Sequence, residues 1–368
     1  MNYDVIIIGS GVSGLLTAIE LAESGTRCCL LDKGQAGRES SWAGGGILLP
    51  LYPWNYPAAV TALASWSIRH YPDYFARLEN ETGISPQWTT SGHLILDRNE
   101  RDNGKLSDPI TQWAKASDSE VTAIDRKELA SIEPGLDDGF HNAMWLPGVG
   151  QVRNPRLNRA LQHRTRQLDI TLLENTEATR LITNGHTVSG VSTRHEQLAA
   201  DKVLITAGAW SALSLGVDTR LPDVEPVKGQ MIQFQTEPGT IRRISLYQGH
   251  YVIPRLDGKI LVGSTLEYTG YDKSTDSDAA NTLLKAATQM YPLLRDRPII
   301  NHWAGLRPGN ERQTPYICPH PEIENLFFNT GHFRNGIVLG LASARLCTDL
   351  ILGRTPDLNP SDYAMAGI

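Results

Sequence analysis

Cysteine is scarce in this chain, with four in 368 residues. They are Cys28, Cys29, Cys318 and Cys347, and the first two are adjacent in a run that reads as a buried strand. That excludes a disulfide scaffold and a CxxC metal site. Positive charge is not in surplus either: the formal net charge is -6. The chain therefore has no electrostatic footprint for nucleic acid. No apolar run approaches the roughly 18 residues that span a bilayer, so no stable membrane insertion is expected. The first strand begins at residue 3, which leaves no room for a signal peptide and predicts a cytoplasmic protein. Repeats and low-complexity stretches are absent. So are a Ser/His/Asp set, paired carboxylates at a recognisable spacing and a metal-ligand cluster. What remains is 40% hydrophobic and 20% charged, an ordinary globular composition. The length suits two domains or one elaborated domain.

The most informative stretch is Asp4 to Asp32. Val5-Ile6-Ile7-Ile8 is a short β-branched run followed at once by Gly9-Ser10-Gly11-Val12-Ser13-Gly14. Leu15 to Ser24 reads as a helix, with Gly25 placed to cap it. Arg27 to Leu31 is a second buried strand, and it ends in Asp32. A bare GxGxxG is a weak signal. Here a strand precedes it, a helix follows it and an acid closes the next strand, which is the context a dinucleotide site requires. Gly9 makes the turn, Gly11 admits a pyrophosphate to the backbone, and Gly14 lets helix and strand pack closely. The helix start offers free N–H groups to phosphate. Asp32 is placed to accept hydrogen bonds from a ribose.

After Lys33 a Gly/Ser-rich loop runs from Gly34 to Leu48. It is too long for a minimal turn, and its small residues let backbone lie against a flat ring or a phosphate. A flexible surface loop is the alternative; Trp42 and Ile47-Leu48-Leu49 argue against it. Pro57 to Glu81 has helical periodicity, interrupted at Pro72. Asn99 to Ser117 reads as a surface helix or loop. Asn154 reads as the N-cap of a helix with Pro155 first inside it. Asn184-Gly185 joins a hairpin. Asp201 to Ser211 is a hydrophobic strand ending in small residues, so backbone at Ala207 and Gly208 has a second approach to a cofactor. Asp278 reads as the cap of a helix running to Met290. Ile299 to Leu306 is a strand that delivers Arg307. A buried helix begins at Ile337 after the loop His332-Phe333-Arg334-Asn335-Gly336.

Parallel-sheet signals thus come from three separated blocks, with strand-rich inserts between them. The expected fold class is α/β: a Rossmann-like cofactor domain (1–84, 145–221 and 319–368) carrying an inserted, mainly antiparallel β-rich substrate domain (85–144 and 222–318).

Four stretches together resemble the FAD-dependent D-amino-acid-oxidase-like oxidoreductases, and within them the bacterial glycine oxidases of thiamine biosynthesis. They are Val5–Gly14 with Asp32-Lys33, Arg38–Leu48, Trp303–Pro308 and Gly331–Ile337. The resemblance implies non-covalent FAD and oxidative deamination of a small amino acid such as glycine, a D-amino acid or sarcosine. Hydride would pass to flavin N5 and the electrons to molecular oxygen. It implies that Arg307 pairs with the substrate carboxylate, that Tyr251 adds a hydrogen bond there, and that Arg334 stands near carboxylate and flavin. The expected cofactor contacts are Gly9, Ser10, Gly11, Val12, Ser13, Gly14, Asp32 and Lys33, then Ser40, Ser41, Ala43, Gly44, Gly45, Gly46 and Leu48. Ala178, Ala207, Gly208, His332, Arg334, Asn335, Gly336 and Ile337 complete the set. Some relatives bind flavin through a cysteine; Cys318 lies in that region, but Pro315 falls at the matching position. Homo-oligomerisation is left open.

The chemistry stands beside the resemblance. Orienting an α-amino acid needs a planar bidentate cation, which is arginine. An anionic reduced flavin needs positive potential, which a helix start at Gly336-Ile337 supplies. His332 is read equally well as structural. Three other readings keep their place: a dehydrogenase passing electrons to quinone, a secondary-amine oxidase acting on sarcosine or a modified nucleotide, and a non-catalytic flavin- or NAD-binding module.

Overall fold

The computed structural model describes residues 2–98, 107–213, 215–216 and 219–365. Two eight-stranded sheets carry the chain. In the first, Leu326–Thr330, Gln197–Ile205, Asn2–Ile8, Cys28–Leu31 and Thr171–Leu173 lie parallel in that order. Tyr316–Pro319 is added antiparallel at one edge. The hairpin Ala178–Asn184 and Thr187–Thr193 joins antiparallel to Gln197–Ile205. Near-continuous apolar runs such as Val5–Ile8 and Cys28–Leu31 are buried on both faces, as parallel strands must be.

The second sheet has the order Asn301–Gly309, Glu225–Gln235, Lys259–Gly263, His250–Pro254, Ile244–Tyr247, His93–Asp97, Asn142–Leu146 and Thr122–Asp125. All neighbours are antiparallel except Ile244–Tyr247 with His93–Asp97. It is thus mainly antiparallel, as expected. The helix Ser277–Met290 covers one face, burying Leu283, Ala287 and Met290 beside Phe234 and Ile260.

Four helices cover one face of the first sheet, among them Asn154–Gln167, which buries Leu157, Ala160 and Leu161. The fingerprint helix Val12–Glu23 and the closing helix Gly336–Leu352 pack through Gly340, where an added Cβ would stand 3.1 Å from Leu16. The long helix Ala58–Thr82 lies across the closing helix; Tyr71 donates to Ile337 O, and Ser67 Oγ accepts from Ala342 N. Among the described residues, no helix is long and apolar enough to cross a membrane.

Several local expectations are corrected. Pro72 does not interrupt its helix, which is continuous over Ala58–Thr82. Tyr71, Phe75 and Leu78 are buried on both sides of the proline, and this shared apolar face outweighs one missing N–H. Asn154 is not the cap: the cap position is Arg153, and Asn154 Nδ2 donates to Ser41 O at 2.9 Å. Asp276, not Asp278, caps the helix Ser277–Met290, accepting from Ala279 N at 2.8 Å. Arg307 lies inside the strand Asn301–Gly309, opposite Val227, rather than past its end. Within Asn99–Ser117 the helical alternative holds, as Asp108–Ser117 is a helix, and residues 99–106 lie outside the described residues.

Three histidines in this frame are buried, His93, His320 and His332, and burial lowers the pKa of each, pushing His93 down to about 3 and His332 to about 4. In the unfolded chain a histidine protonates near 6.5. Between pH 6.5 and about 4 the unfolded state therefore binds more protons, so stability is full above this window and falls as pH drops through it. Each histidine contributes up to about 1.4 kcal/mol per pH unit. Urea midpoints measured from pH 7 to 4.5 should fall, and His93→Gln should fall less steeply. Equal slopes would show that His93 is not buried neutral.

Candidate active site

A large cavity runs between the sheets, lined at one end by Gly9, Gly11 and Asp32 and at the other by Tyr251 and Arg307. A lining that leads from a glycine turn to a guanidinium suits a dinucleotide together with a small molecule. At one end the strand Asn2–Ile8 delivers Gly9 into a left-handed turn with φ 105°. A Cβ there would lie 2.5 Å from Thr206 O, so only glycine closes the turn. Gly14 is equally constrained: a Cβ would stand 2.0 Å from Gly9 O. Asp32 Oδ2 accepts from Ser10 N at 2.9 Å and Ser10 Oγ at 2.7 Å, and Oδ1 from Gly34 N at 2.9 Å. The carboxylate is thereby fixed beside the turn, with lone pairs still directed to the cavity it lines.

Two helices open into this cavity by their N-termini. Gly11 caps the fingerprint helix and Asn335 the closing helix, and neither is capped by its own side chain. At the first, Val12 N–H donates to Ser41 Oγ. At the second, Gly336, Ile337 and Val338 line the wall. Both ends present N–H groups and a positive dipole end.

The glycine loop forms the seam between the sheets. Gly46 has φ 71°, and a Cβ on it would lie 2.2 Å from Val152 O. Arg255, itself buried, donates to Gly45 O at 2.7 Å, Val152 O at 2.9 Å and Gln151 Oε1 at 2.6 Å. Burial pulls its guanidinium down to about 10. Trp303 Nε1 donates to Ala43 O at 3.0 Å.

At the other end of the cavity stands Arg307. On its strand Trp303, Gly305 and Arg307 alternate onto the face that meets the glycine loop, the two-residue period of a strand. Gly229 pairs with Gly305 on the neighbouring strand. A Cβ on Gly229 would lie 2.0 Å from Arg307 Nη2 and 2.3 Å from Cζ, so the guanidinium lies flat on bare backbone. Nη2 donates to Ser264 Oγ at 2.7 Å, and Nη1 to Lys228 O at 3.2 Å and Thr265 O at 3.3 Å. Burial pulls its pKa below the usual value, and the neighbouring Tyr251 hydroxyl opposes that. Tyr251 is buried, lines the cavity, and points its hydroxyl toward Met231 Sδ at 3.8 Å. Arg334 also lines the cavity and lies over the Phe333 ring.

Most of the residues proposed from sequence meet in this one cavity: Arg307, Tyr251, Arg334, His332, Asp32, Lys33, the glycine loop, Ala178, Ala207, Gly208 and Asn335–Ile337. Three do not line it. Ser10 is buried behind Asp32, and Gly14 faces the strand turn. Leu48 alternates into the core while Ile47 and Leu49 face the cavity. Several lining residues carry no sequence signal of their own, among them Gly229, Met231, Ser264 and Trp210. Lys33 Nζ sits 3.4 Å from the Trp210 ring centroid, and Tyr271 stacks on the same ring at 5.5 Å. Lys273 pairs with Glu39 at 2.9 Å, so the segment after Ser264 clasps the dinucleotide end.

The residues present fit FAD: a glycine turn that admits a phosphate chain, two open helix starts and a fixed carboxylate. None of the four cysteines lines the cavity. Cys318 is buried among Ile8, Tyr316 and Phe328. Gly229→Ala should leave the fold intact, since the clash is with the end of a flexible side chain, but should lift the guanidinium off its bed. We expect the Kd for a small monocarboxylate, measured calorimetrically, to rise about tenfold, the loss of one charge-assisted bond. Unchanged affinity would show that Arg307 does not hold carboxylates.

Comparison with known proteins agrees with this geometry. The chain is 45% identical to glycine oxidase of Pseudomonas aeruginosa, over 100% of both chains. It is 43% identical to glycine oxidase of Pseudomonas putida, over 100% of this chain and 99% of that one. The crystal structure of glycine oxidase from Geobacillus kaustophilus superposes with a TM-score of 0.92 at 27% identity, covering 99% of this chain and 98% of that one. The sequence model of the FAD dependent oxidoreductase family, DAO, matches residues 4–350, and this chain belongs to that family.

Proposed function

We propose that the chain oxidises a small amino acid, glycine or a comparably small D-amino acid or sarcosine, to a 2-oxo acid and ammonia. The observation that carries this reading is the Arg307 fork, laid on Gly229 at the end of the cavity that continues from the dinucleotide turn. A planar guanidinium held by Ser264 and two backbone carbonyls is oriented in advance for a carboxylate. Tyr251 and Met231 close in on the same space and favour a short side chain. Arg334 adds a second positive charge. The 45% identity to a glycine oxidase over the full chain supports the substrate class.

The second sheet is the substrate layer in this reading, and the first is the cofactor layer. When bound at the glycine turn and the two helix starts, non-covalent FAD would supply the hydride acceptor, with molecular oxygen as the terminal electron acceptor and hydrogen peroxide as its product. The chain's own residues bind and orient. The carboxylates among the described lining residues are Asp32, Glu39 and Glu177. Asp32 is bonded to Ser10 and Glu39 is paired with Lys273. A substrate bound as its free amine needs no dedicated base, and this lining suits that chemistry. Fold likeness does not choose the acceptor: L-proline dehydrogenase from P. horikoshii superposes with a TM-score of 0.87 at 21% identity.

An anaerobic titration of the holoprotein with glycine, sarcosine, D-alanine and D-proline should bleach the flavin absorbance. Arg307→Ala should raise KM by about a hundredfold or more, as expected for losing a bidentate ion pair. Under air, stoichiometric hydrogen peroxide is expected; bleaching without peroxide would assign a dehydrogenase. A flavin that stays oxidised with all four amines would overturn the substrate class.

A further inference from the structure

Lys228 is 3% exposed and stands outside the cavity lining. It belongs to the strand Glu225–Gln235, whose side chains alternate between two faces. Gly229 and Met231 line the cavity, while Lys228 and Gln230 do not. The Lys228 ammonium has three donors and three oxygens to receive them. Nζ lies 3.1 Å from Glu267 Oε2, 3.1 Å from Asp272 Oδ2 and 3.2 Å from Ser274 O. All three belong to the segment 264–276, which leaves the strand Lys259–Gly263 and runs to the helix Ser277–Met290. Gln230 grips the same segment. Its Nε2 donates to Asp276 Oδ2 at 2.6 Å and to Glu267 Oε1 at 3.0 Å.

This segment also makes most of the bed of Arg307. Of the three oxygens that accept from the guanidinium, Ser264 Oγ and Thr265 O come from it. The third, Lys228 O, also accepts from Glu267 N at 3.0 Å, and Lys228 N donates to Glu267 O at 2.9 Å. Thr265 Oγ1 donates to Glu267 Oε1 and accepts from Gln230 N at 2.8 Å. A run of direct contacts thus leads from ammonium to guanidinium. Lys228 holds Glu267, Glu267 holds Thr265, and Thr265 O holds Arg307. Apolar burial does not do this fixing, because Leu266, Tyr268 and Tyr271 are 44%, 65% and 44% exposed. A segment with its apolar side chains in water keeps its place through polar anchors. A buried ammonium is costly unless it is fully paired, so this anchor tolerates little displacement.

We propose that Lys228 is a positioning residue for Arg307, a buried latch that sets where two of the guanidinium's three oxygens stand. The inference rests on Arg307 being the carboxylate anchor of the proposed function. Without the latch the fork keeps its charge and loses its preset plane. Carboxylate binding then weakens, and the step that follows binding does not change.

The test uses the holoprotein, with Kd for acetate measured calorimetrically and kcat and KM measured for glycine. In Lys228→Met the new side chain fills the volume of the lysine stem, and Glu267 and Asp272, neither of them buried, turn to water. KM for glycine and Kd for acetate should both rise about tenfold, with kcat within about twofold of wild type. Lys228→Arg keeps the charge and should recover part of the loss. Asp272→Asn changes an exposed residue, leaves the fold intact and should raise KM about threefold. An Arg307→Lys background has no planar fork to position, and Lys228→Met should add nothing there. Unchanged KM and Kd in Lys228→Met and Asp272→Asn, a fall in kcat alone, or a Lys228→Met penalty of full size in the Arg307→Lys background would overturn the proposal. Equal acetate affinity in wild type and Arg307→Lys would overturn the reading of Arg307 itself, and this inference with it.

Discussion

A buried guanidinium whose bonds, among the described residues, end on uncharged oxygens ties the two layers of this protein together. Arg255 grows from the second sheet, and its donors end on Gly45 O, Val152 O and the Gln151 amide oxygen. Burying a cation is costly, and the cost is offset here by three short bonds to fixed dipoles and by the nearby Asp257 carboxylate. The glycine loop gains in exchange a defined path between the sheets. Asn154 holds Ser41 O from one side and Trp303 holds Ala43 O from the other. Once the loop is fixed, the dinucleotide turn, the second sheet and the closing helix share one cavity.

The arrangement around Arg307 follows the same logic at the cavity wall. Its guanidinium is anchored on Ser264 and two carbonyls, yet it remains in the cavity wall. Anchoring removes rotamer freedom before a ligand arrives, and the glycine beneath it removes the steric reason to stand off the sheet. A lysine could keep the charge at this place, but not the planar fork.

Much of this was legible in the residues. The strand, glycine turn, helix and acid of Asp4–Asp32 are local, and a local signal survives reading in one dimension. Arg307 stood out because Trp303–Pro308 carries the family resemblance, with which the apolar residues before it and Pro308-Gly309 after it agree. Gly229 and Ser264 were not legible, because their roles depend on which strand lies opposite, and register is a long-range property. Trp210 was hidden for the same reason: its partners Lys33 and Tyr271 come from distant segments. Asp278 read as the helix start, yet Asp276 caps the helix. The choice was made by Gln230, whose amide bonds to Asp276 from the second sheet. Pro72 misled because proline's rule is local, while the burial that overrides it is not.

The two open helix starts lie at Gly11 and Asn335, toward opposite ends of the chain. Most of the chain separates these two starts, which meet at one cavity, so the FAD site exists only when both sheets are folded: loss of either helix start opens the same cavity, and cofactor binding reports on the folding of the whole chain.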